Sequence, residues 1–286
     1  MTDFWEPFAQ HGPQTALETE YNQGCNAARA AAKVPGLEHY IWSTLPNAER
    51  VSGGHFVIPH FASKYRVDDY IRRELPGLLR RTTLLWVALF AGNVLYPAGR
   101  PAKWVSCELA EQSAQPTPTL PTFRLSWFPV LRRGEEKLTD ARRVQGPADK
   151  YALIQPVGSQ TQLVQAGDQR KNVGMFVDAI VEQPGLTQDG RVVFAESGEV
   201  HTQAEQLAIW GRVTGTSPVY LQVSLDEYDK LFPMWGAEWG IMMQYFEWAG
   251  GKKSWSCEQG VLTKEDLGVI GLVGFEEGLR ALDLET

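Results

Sequence analysis

Cysteine is scarce in this chain. Cys25, Cys107 and Cys257 are spread over 286 residues with no C-x-x-C, which excludes a disulfide framework and suits a reducing compartment. Positive charge is also short: 27 Lys and Arg against 34 Asp and Glu give a net charge of −7 and a pI near 5.4. A nucleic-acid surface would carry a basic patch or stripe, so direct nucleic-acid binding is not expected. Long apolar runs are missing. The most apolar stretch, Leu84–Ala91, falls well short of the ~20 residues that a membrane span needs, and no basic-then-apolar segment opens the chain as a secretory signal would. G-x-S-x-G, H-E-x-x-H and G-x-x-x-x-G-K-[ST] do not occur. His55 and His60 stand at no metal-ligand spacing with a Cys or carboxylate cluster. A soluble, cytoplasmic protein with no metal and no membrane contact is expected.

What is present is a hydrophobic fraction of 43%, enough to bury a sizeable core in one large domain or two small ones. Asn22–Lys33 is rich in alanine and reads as a helix that Pro35-Gly36 ends. His39–Leu45 follows as a short strand of aromatic and β-branched residues. His60–Leu75 is a second helix: Val67, Tyr70, Ile71 and Leu75 recur three and four residues apart, Pro59 opens it and Pro76-Gly77 closes it. Thr82–Phe90 is apolar throughout, the mark of a strand covered on both faces. Helix and strand alternating over short connections predict an α/β fold with a parallel sheet.

Residues 98–149 break this rhythm. Prolines scatter through them beside the basic pairs Arg132-Arg133 and Arg142-Arg143 with no clear period, and an irregular insertion or a mis-assigned segment is expected. Order returns at Tyr151. Lys171–Ile180 reads as a helix and Val192–Ala195 as a strand. Thr202-x-x-Glu205 and Ser224-x-x-Glu227 are capping boxes that open two more helices, the first of them closed by Gly215, with a strand at Val219–Val223 between. Trp235, Trp239, Met242 and Phe246 form a helical stripe, a pattern met more often in a core than in a pocket.

Taken in order, Asp3-Phe4-Trp5-Glu6-Pro7-Phe8, Gln23-Gly24-Cys25-Asn26, Tyr40-Ile41-Trp42-Ser43-Thr44-Leu45 and Pro59-His60-Phe61-Ala62-Ser63-Lys64 resemble the NmrA-like family of atypical short-chain dehydrogenases. The resemblance covers residues 1–97 and 150–286. It implies a Rossmann-like parallel sheet with a smaller α+β substrate-side subdomain: a partial nucleotide-binding domain at 1–97, the insertion at 98–149, a continuation at 150–183 and the substrate-side part at 184–286. It also implies that the chain opens past the family's third strand, so that the strand, glycine-rich turn and helix holding the NADP pyrophosphate are lacking. Gly268-Val269-Ile270-Gly271-Leu272-Val273-Gly274 has the glycine spacing, but too little chain follows for a second strand, and it reads as a turn before a last helix at Phe275–Leu282. A sheet shortened in this way exposes an edge for a protein partner or a second copy of the chain to cover.

Short-chain dehydrogenases pair a strand-end serine with Tyr-x-x-x-Lys on the next helix. By resemblance Ser43, His60 and Lys64 take those places, with histidine where tyrosine is usual. The spacing puts His60 and Lys64 on one helix face, and an imidazole passes protons near neutral pH; the alternative is that His60 only begins the helix and Lys64 faces solvent. The other NADP(H) contacts that the resemblance implies are Thr2-Asp3-Phe4 along the dinucleotide, Asn22 before the Gln-Gly pair, Lys64 on the ribose, and Phe90-Ala91-Gly92-Asn93 closing over the nicotinamide. In the Asn22 place the family often has a lysine two residues after a glutamate, here Glu20. The implied function is an NADP(H)-dependent oxidoreductase acting on a small organic substrate, in fungal members often one of secondary metabolism. Histidine in the tyrosine place favours a second reading, a non-catalytic redox sensor or transcription-regulator-binding protein. The missing glycine turn favours a third, an inactive truncated product.

Overall fold

The computed structural model describes residues 2–96, 98–103, 150–250, 255–256 and 258–284; residues 104–149, most of the expected insertion, lie outside these, as do Cys107 and Cys257. Proline and glycine set the first boundaries. Gly12 takes a positive φ of 85° and Pro13 follows at the first helical position, so α1 (Trp5–His11) ends and α2 (Pro13–Ala32) begins within two residues. The helix expected from Asn22 thus starts at Pro13, because Ala16, Leu17 and Glu20 extend the buried stripe of Gly24, Cys25 and Ala28.

Next come β1 (Tyr40–Thr44), α3 (Ala48–Val51), α4 (Pro59–Glu74), α5 (Pro76–Leu79) and β2 (Thr82–Val87). β1 and β2 run parallel with Tyr40 opposite Thr82 and Thr44 opposite Trp86, and β7 (Arg191–Ala195) joins the far side of β2, again parallel. This is the mixed α/β architecture with a parallel sheet that the alternation predicts. β7 lies beyond residue 184, so a strand from late in the chain completes the sheet of its first part. α2 and α4 cover one face, where Trp42, Val67, Ile71 and Leu84 are buried together. They can close on it because position 24 has no side chain: a Cβ there would stand 2.7 Å from Val67 Cγ2 and 3.0 Å from the Trp42 ring. On the other face Phe176 and Ile180 of α6 (Gln169–Glu182) meet Leu85 and Val193. Full burial of side chains of this size contributes about 1.5–3 kcal/mol each.

The strand expected at Thr82–Phe90 splits at Ala88. Leu89–Phe90, now β3, leaves the first sheet and pairs in parallel with β6 (Gln162–Gly167) through a register shift, and a 3₁₀ turn, Ala91–Leu95, follows. β6 also pairs antiparallel with β8 (Val200–Thr202), while β5 (Lys150–Gln155) pairs antiparallel with β4 (Ala102–Lys103) and parallel with β9 (Ser217–Gln222). After the short α7 (Pro184–Thr187), both capping boxes form. Thr202 Oγ1 accepts from Glu205 N at 3.1 Å while the Glu205 carboxylate accepts from Thr202 N at 2.7 Å, opening α8 (Gln203–Thr214), which Gly215 closes at φ 70°. Ser224 and Glu227 do the same for α9 (Leu225–Leu231). A π-helical turn, Gly236–Gly240, in which Gly240 N donates to Trp235 O at 2.9 Å, leads into α10 (Ile241–Ala249).

α11 (Lys264–Leu267) and α12 (Phe275–Arg280) complete the described chain. The Gly268–Gly274 run between them is loop, as read from the sequence. It docks on the start of α6: Val273 N donates to Asn172 Oδ1 at 2.9 Å and Asn172 Nδ2 to Val273 O at 2.8 Å. The outer edge of β1 has no strand partner among the described residues, and no helix among them is long and apolar enough to cross a membrane.

Candidate functional site

Because Pro59 starts α4, its first turns carry His60, Ser63 and Lys64 beside the C-terminal ends of β1 and β2. A cavity of about 160 Å3 opens there, with His60, Lys64, Phe90, Asn93, Tyr96 and Trp239 in its walls. Each basic side chain faces its own buried carboxylate. His60 Nδ1 is hydrogen-bonded to Glu238, which is 0% exposed and is carried in by the π turn. With Nδ1 committed, Nε2 is the nitrogen left for a ligand. The rings of Phe4, Trp5 and Phe61 surround the imidazole at centroid distances of 5.9, 5.9 and 4.8 Å. Lys64 Nζ donates to Glu20 Oε2 at 2.7 Å. Glu20, 3% exposed, also accepts from Thr2 Oγ1 at 2.9 Å and from Ser63 Oγ, within the capacity of a carboxylate's lone pairs.

Of the residues singled out in the sequence, His60, Lys64, Phe90 and Asn93 converge on the cavity. Thr2 reaches its rim through Glu20, and Phe4 through the ring cage of His60. Asp3 instead donates its backbone N–H to Gln23 Oε1 at 2.7 Å. Ser43 is a correction. Strand alternation turns Trp42 and Thr44 towards α4 and Ser43, itself exposed, to the opposite face, away from His60 and Lys64. Asn22 is a second correction, exposed on α2 and outside the cavity. Ala91 is packed with Tyr151, Trp210 and Phe275, and a Cβ on Gly92 would stand 2.7 Å from Gln169 Nε2, so both serve the turn. Asn93 closes that turn by accepting from Phe90 N at 2.7 Å. Sequence reasoning missed Glu238 and Tyr96 and gave Glu20 no role. The signal for Glu238 was a lone acid inside the aromatic run Trp235–Phe246.

A larger groove, of about 570 Å3, lies elsewhere along α4, with Tyr65, Asp68, Asp69, Arg72 and Arg191 in its walls. It holds none of the residues expected to contact a cofactor. Burial pushes the Asp68 carboxyl up to about 8, against the pull of the Thr44 hydroxyl, which donates to Asp68 Oδ2 at 2.9 Å, and of the Arg72 charge.

Of the residues that the family resemblance assigns to a nicotinamide nucleotide, His60, Lys64, Phe90 and Asn93 thus share one cavity, and none of those assigned to it belongs to a phosphate-binding glycine turn. Among the described residues the only G-x-x-G-x-x-G run is the docked loop at 268–274, whose Val273 N–H is spent on Asn172, so no glycine turn after a parallel strand offers the pyrophosphate its N–H groups.

Residues 8–97 match the model of the NmrA-like family. No curated protein matches the chain in sequence. Among solved structures, NmrA, a negative transcriptional regulator, in complex with NADP is similar in fold with a TM-score of 0.55 at 17% identity, over 92% of this chain and 69% of its own. A nucleoside-diphosphate-sugar epimerase from Staphylococcus aureus gives 0.54 at 14% identity, over 92% of this chain and 72% of its own. NmrA in its monoclinic form gives 0.46 at 19% identity over 71% of this chain, which spans 49% of that protein's length. At these identities the likeness is one of fold.

Proposed function

We propose that this chain, NmrA-like over residues 8–97 and Rossmann-like in its parallel sheet, is an NADP(H)-dependent oxidoreductase acting on a small organic substrate. The observation that carries this reading is the convergence of His60, Lys64, Phe90 and Asn93 on one cavity of about 160 Å3, close to the ~150 Å3 that accommodates a benzene-sized ring. Bound NADP(H) would supply the hydride chemistry. The chain's own part is positioning and proton transfer. Phe90 and Asn93 hold the ring, Lys64 offers the ribose the N–H groups not given to Glu20, and His60, oriented by Glu238, gives or takes a proton at Nε2. Secondary metabolism is the substrate class that the family resemblance suggests.

One observation favours a second reading. His60 and Lys64 are both tied to buried carboxylates, which suits a site that holds a nucleotide without turnover, and a structural relative is a transcriptional regulator. Calorimetric titration of the full chain with NADPH tests the shared premise. Micromolar binding is expected, and no binding by folded protein overturns it. NADPH consumption with carbonyl and imine compounds then separates the two readings. Turnover that falls about 100- to 10,000-fold in His60→Gln supports the oxidoreductase, and binding with no turnover supports the sensor.

A further inference from the structure

Beside the His60–Lys64 cavity lies a smaller one of about 40 Å3, and Leu89, Phe90, Asn93 and Trp239 line both. Gln155 and Gln165, 1% and 0% exposed, stand in the walls of the smaller one, and the Oε1 of each has no hydrogen-bond partner. The orientation of these amides follows from what their nitrogens do. Gln155 Nε2 donates to Ala98 O at 2.9 Å and Gln165 Nε2 to Leu163 O at 3.1 Å, so in both the nitrogen is placed by one of its two N–H groups and the oxygen is left over. The buried Trp239 Nε1–H is likewise without a partner. No charged side chain among the described residues lines this cavity. A buried polar group left unsatisfied costs about 1–3 kcal/mol, and three residues of one cavity wall that each carry such a group call for something that satisfies them.

We infer that this cavity is the polar end of the substrate site and takes a neutral group that offers N–H or O–H donors to Gln155 and Gln165 and an acceptor to Trp239. A primary carboxamide has that chemistry. The inference rests on the adjoining cavity being the reacting site. A space of about 40 Å3 is more than the ~10–15 Å3 that one water needs and less than a ring needs, so the body of the ligand lies in the neighbouring 160 Å3. A carboxylate is rejected, since it brings no donor for the two oxygens and adds a charge with no counterion. The carboxamide can belong to a substrate or to a nicotinamide ring, which share this chemistry.

Ligand-observed NMR titration of the full chain with benzamide and with benzoate, each with and without NADPH, tests the assignment. The same titrations on Gln155→Leu and Gln155→Met complete it. In these variants Ala98 O keeps the Tyr228 hydroxyl at 3.2 Å. Benzamide is expected to bind at least about 10-fold tighter than benzoate, and the preference is expected to vanish in the variants. Without ligand the variants are expected to melt no lower than the unmodified protein, because carbon has replaced an orphaned acceptor. Displacement of benzamide by NADPH assigns the pocket to the nicotinamide carboxamide, and simultaneous binding assigns it to a substrate. No benzamide preference in a chain that binds NADPH overturns the pocket and leaves the nucleotide reading standing. Benzamide preferred by a chain that ignores NADPH does the reverse. A lower melting temperature in both variants with the preference intact marks the glutamines as a bracket for buried water and overturns the inference.

Discussion

Helix α4 takes ionisable side chains into the interior at two places and settles them in opposite ways. At its first turns His60 and Lys64 meet Glu238 and Glu20. Two turns on, Asp68 is hydrogen-bonded to the neutral Thr44 hydroxyl, and its carboxyl, pushed up to about 8, keeps its proton at neutral pH. A buried ion needs either a partner or a proton. The partner has to be delivered by another element: Glu20 comes from α2 and Glu238 from the π turn, 178 positions along the chain from His60. A proton comes from solvent. The first end of α4 is therefore fixed in geometry, as a site that orients a ligand must be, and the second is set by pH.

Removing a partner from the fixed end gives the largest expected effect. Glu20→Ala leaves Lys64 Nζ, Ser63 Oγ and Thr2 Oγ1 without their shared acceptor, and losing one partner of a buried pair costs about 3–5 kcal/mol. Lys64 keeps 20% of its side chain exposed, which places the loss towards the lower figure. Urea denaturation reads it, and a loss under about 1 kcal/mol would show that the pair contributes no more than an ordinary surface bridge. The proton-held end behaves differently. Between the ordinary carboxylate pKa and about 8, folded Asp68 holds a proton that the unfolded chain has released. Its contribution is thus complete at low pH and is lost as pH rises through that window, at no more than about 1.4 kcal/mol per pH unit. Asp68→Asn should remove this slope and raise stability at neutral pH. Denaturation series at several pH values check it, and a slope that survives in the variant would break the contrast between the two ends.

The same contrast explains how much was legible beforehand. Signals confined to a few residues read correctly: Pro59 and Pro76 bound α4, Thr202 with Glu205 and Ser224 with Glu227 open α8 and α9, and the glycine run at 268–274 is a loop. His60 and Lys64 were visible as an i, i+4 pair on one helix face, and Phe90 with Asn93 only through the family resemblance. Their carboxylates were not, because Glu238 reaches His60 only after the chain has built two further sheets and an extra-residue π turn, which no local period announces. Ser43 went astray by position in the strand. It follows the buried Trp42, so the two-residue alternation that makes β1 a strand also turns Ser43 away from α4. The split at Ala88 was hidden because Leu84–Phe90 is apolar throughout, and an apolar run does not say which of two sheets each half joins.

The smallest effect gives the sharpest test of the proton-held end. Thr44→Val keeps the shape of the side chain and removes the hydroxyl that donates to Asp68 Oδ2 at 2.9 Å. That bond favours the charged carboxylate and is the largest influence pulling Asp68 down against burial. Two consequences separate by pH. Well below pH 4, where Asp68 is protonated in both folded and unfolded chains, the variant only leaves the buried Oδ2 without its donor, at about 1–3 kcal/mol. Above that, the folded carboxyl holds its proton still more tightly, so stability goes on falling past the pH at which the unmodified protein levels off. The gap between the two proteins should widen as pH rises through 8 and then hold steady. A gap constant from acid to alkaline pH would mean that Thr44 only packs against Asp68, and that burial alone sets its charge.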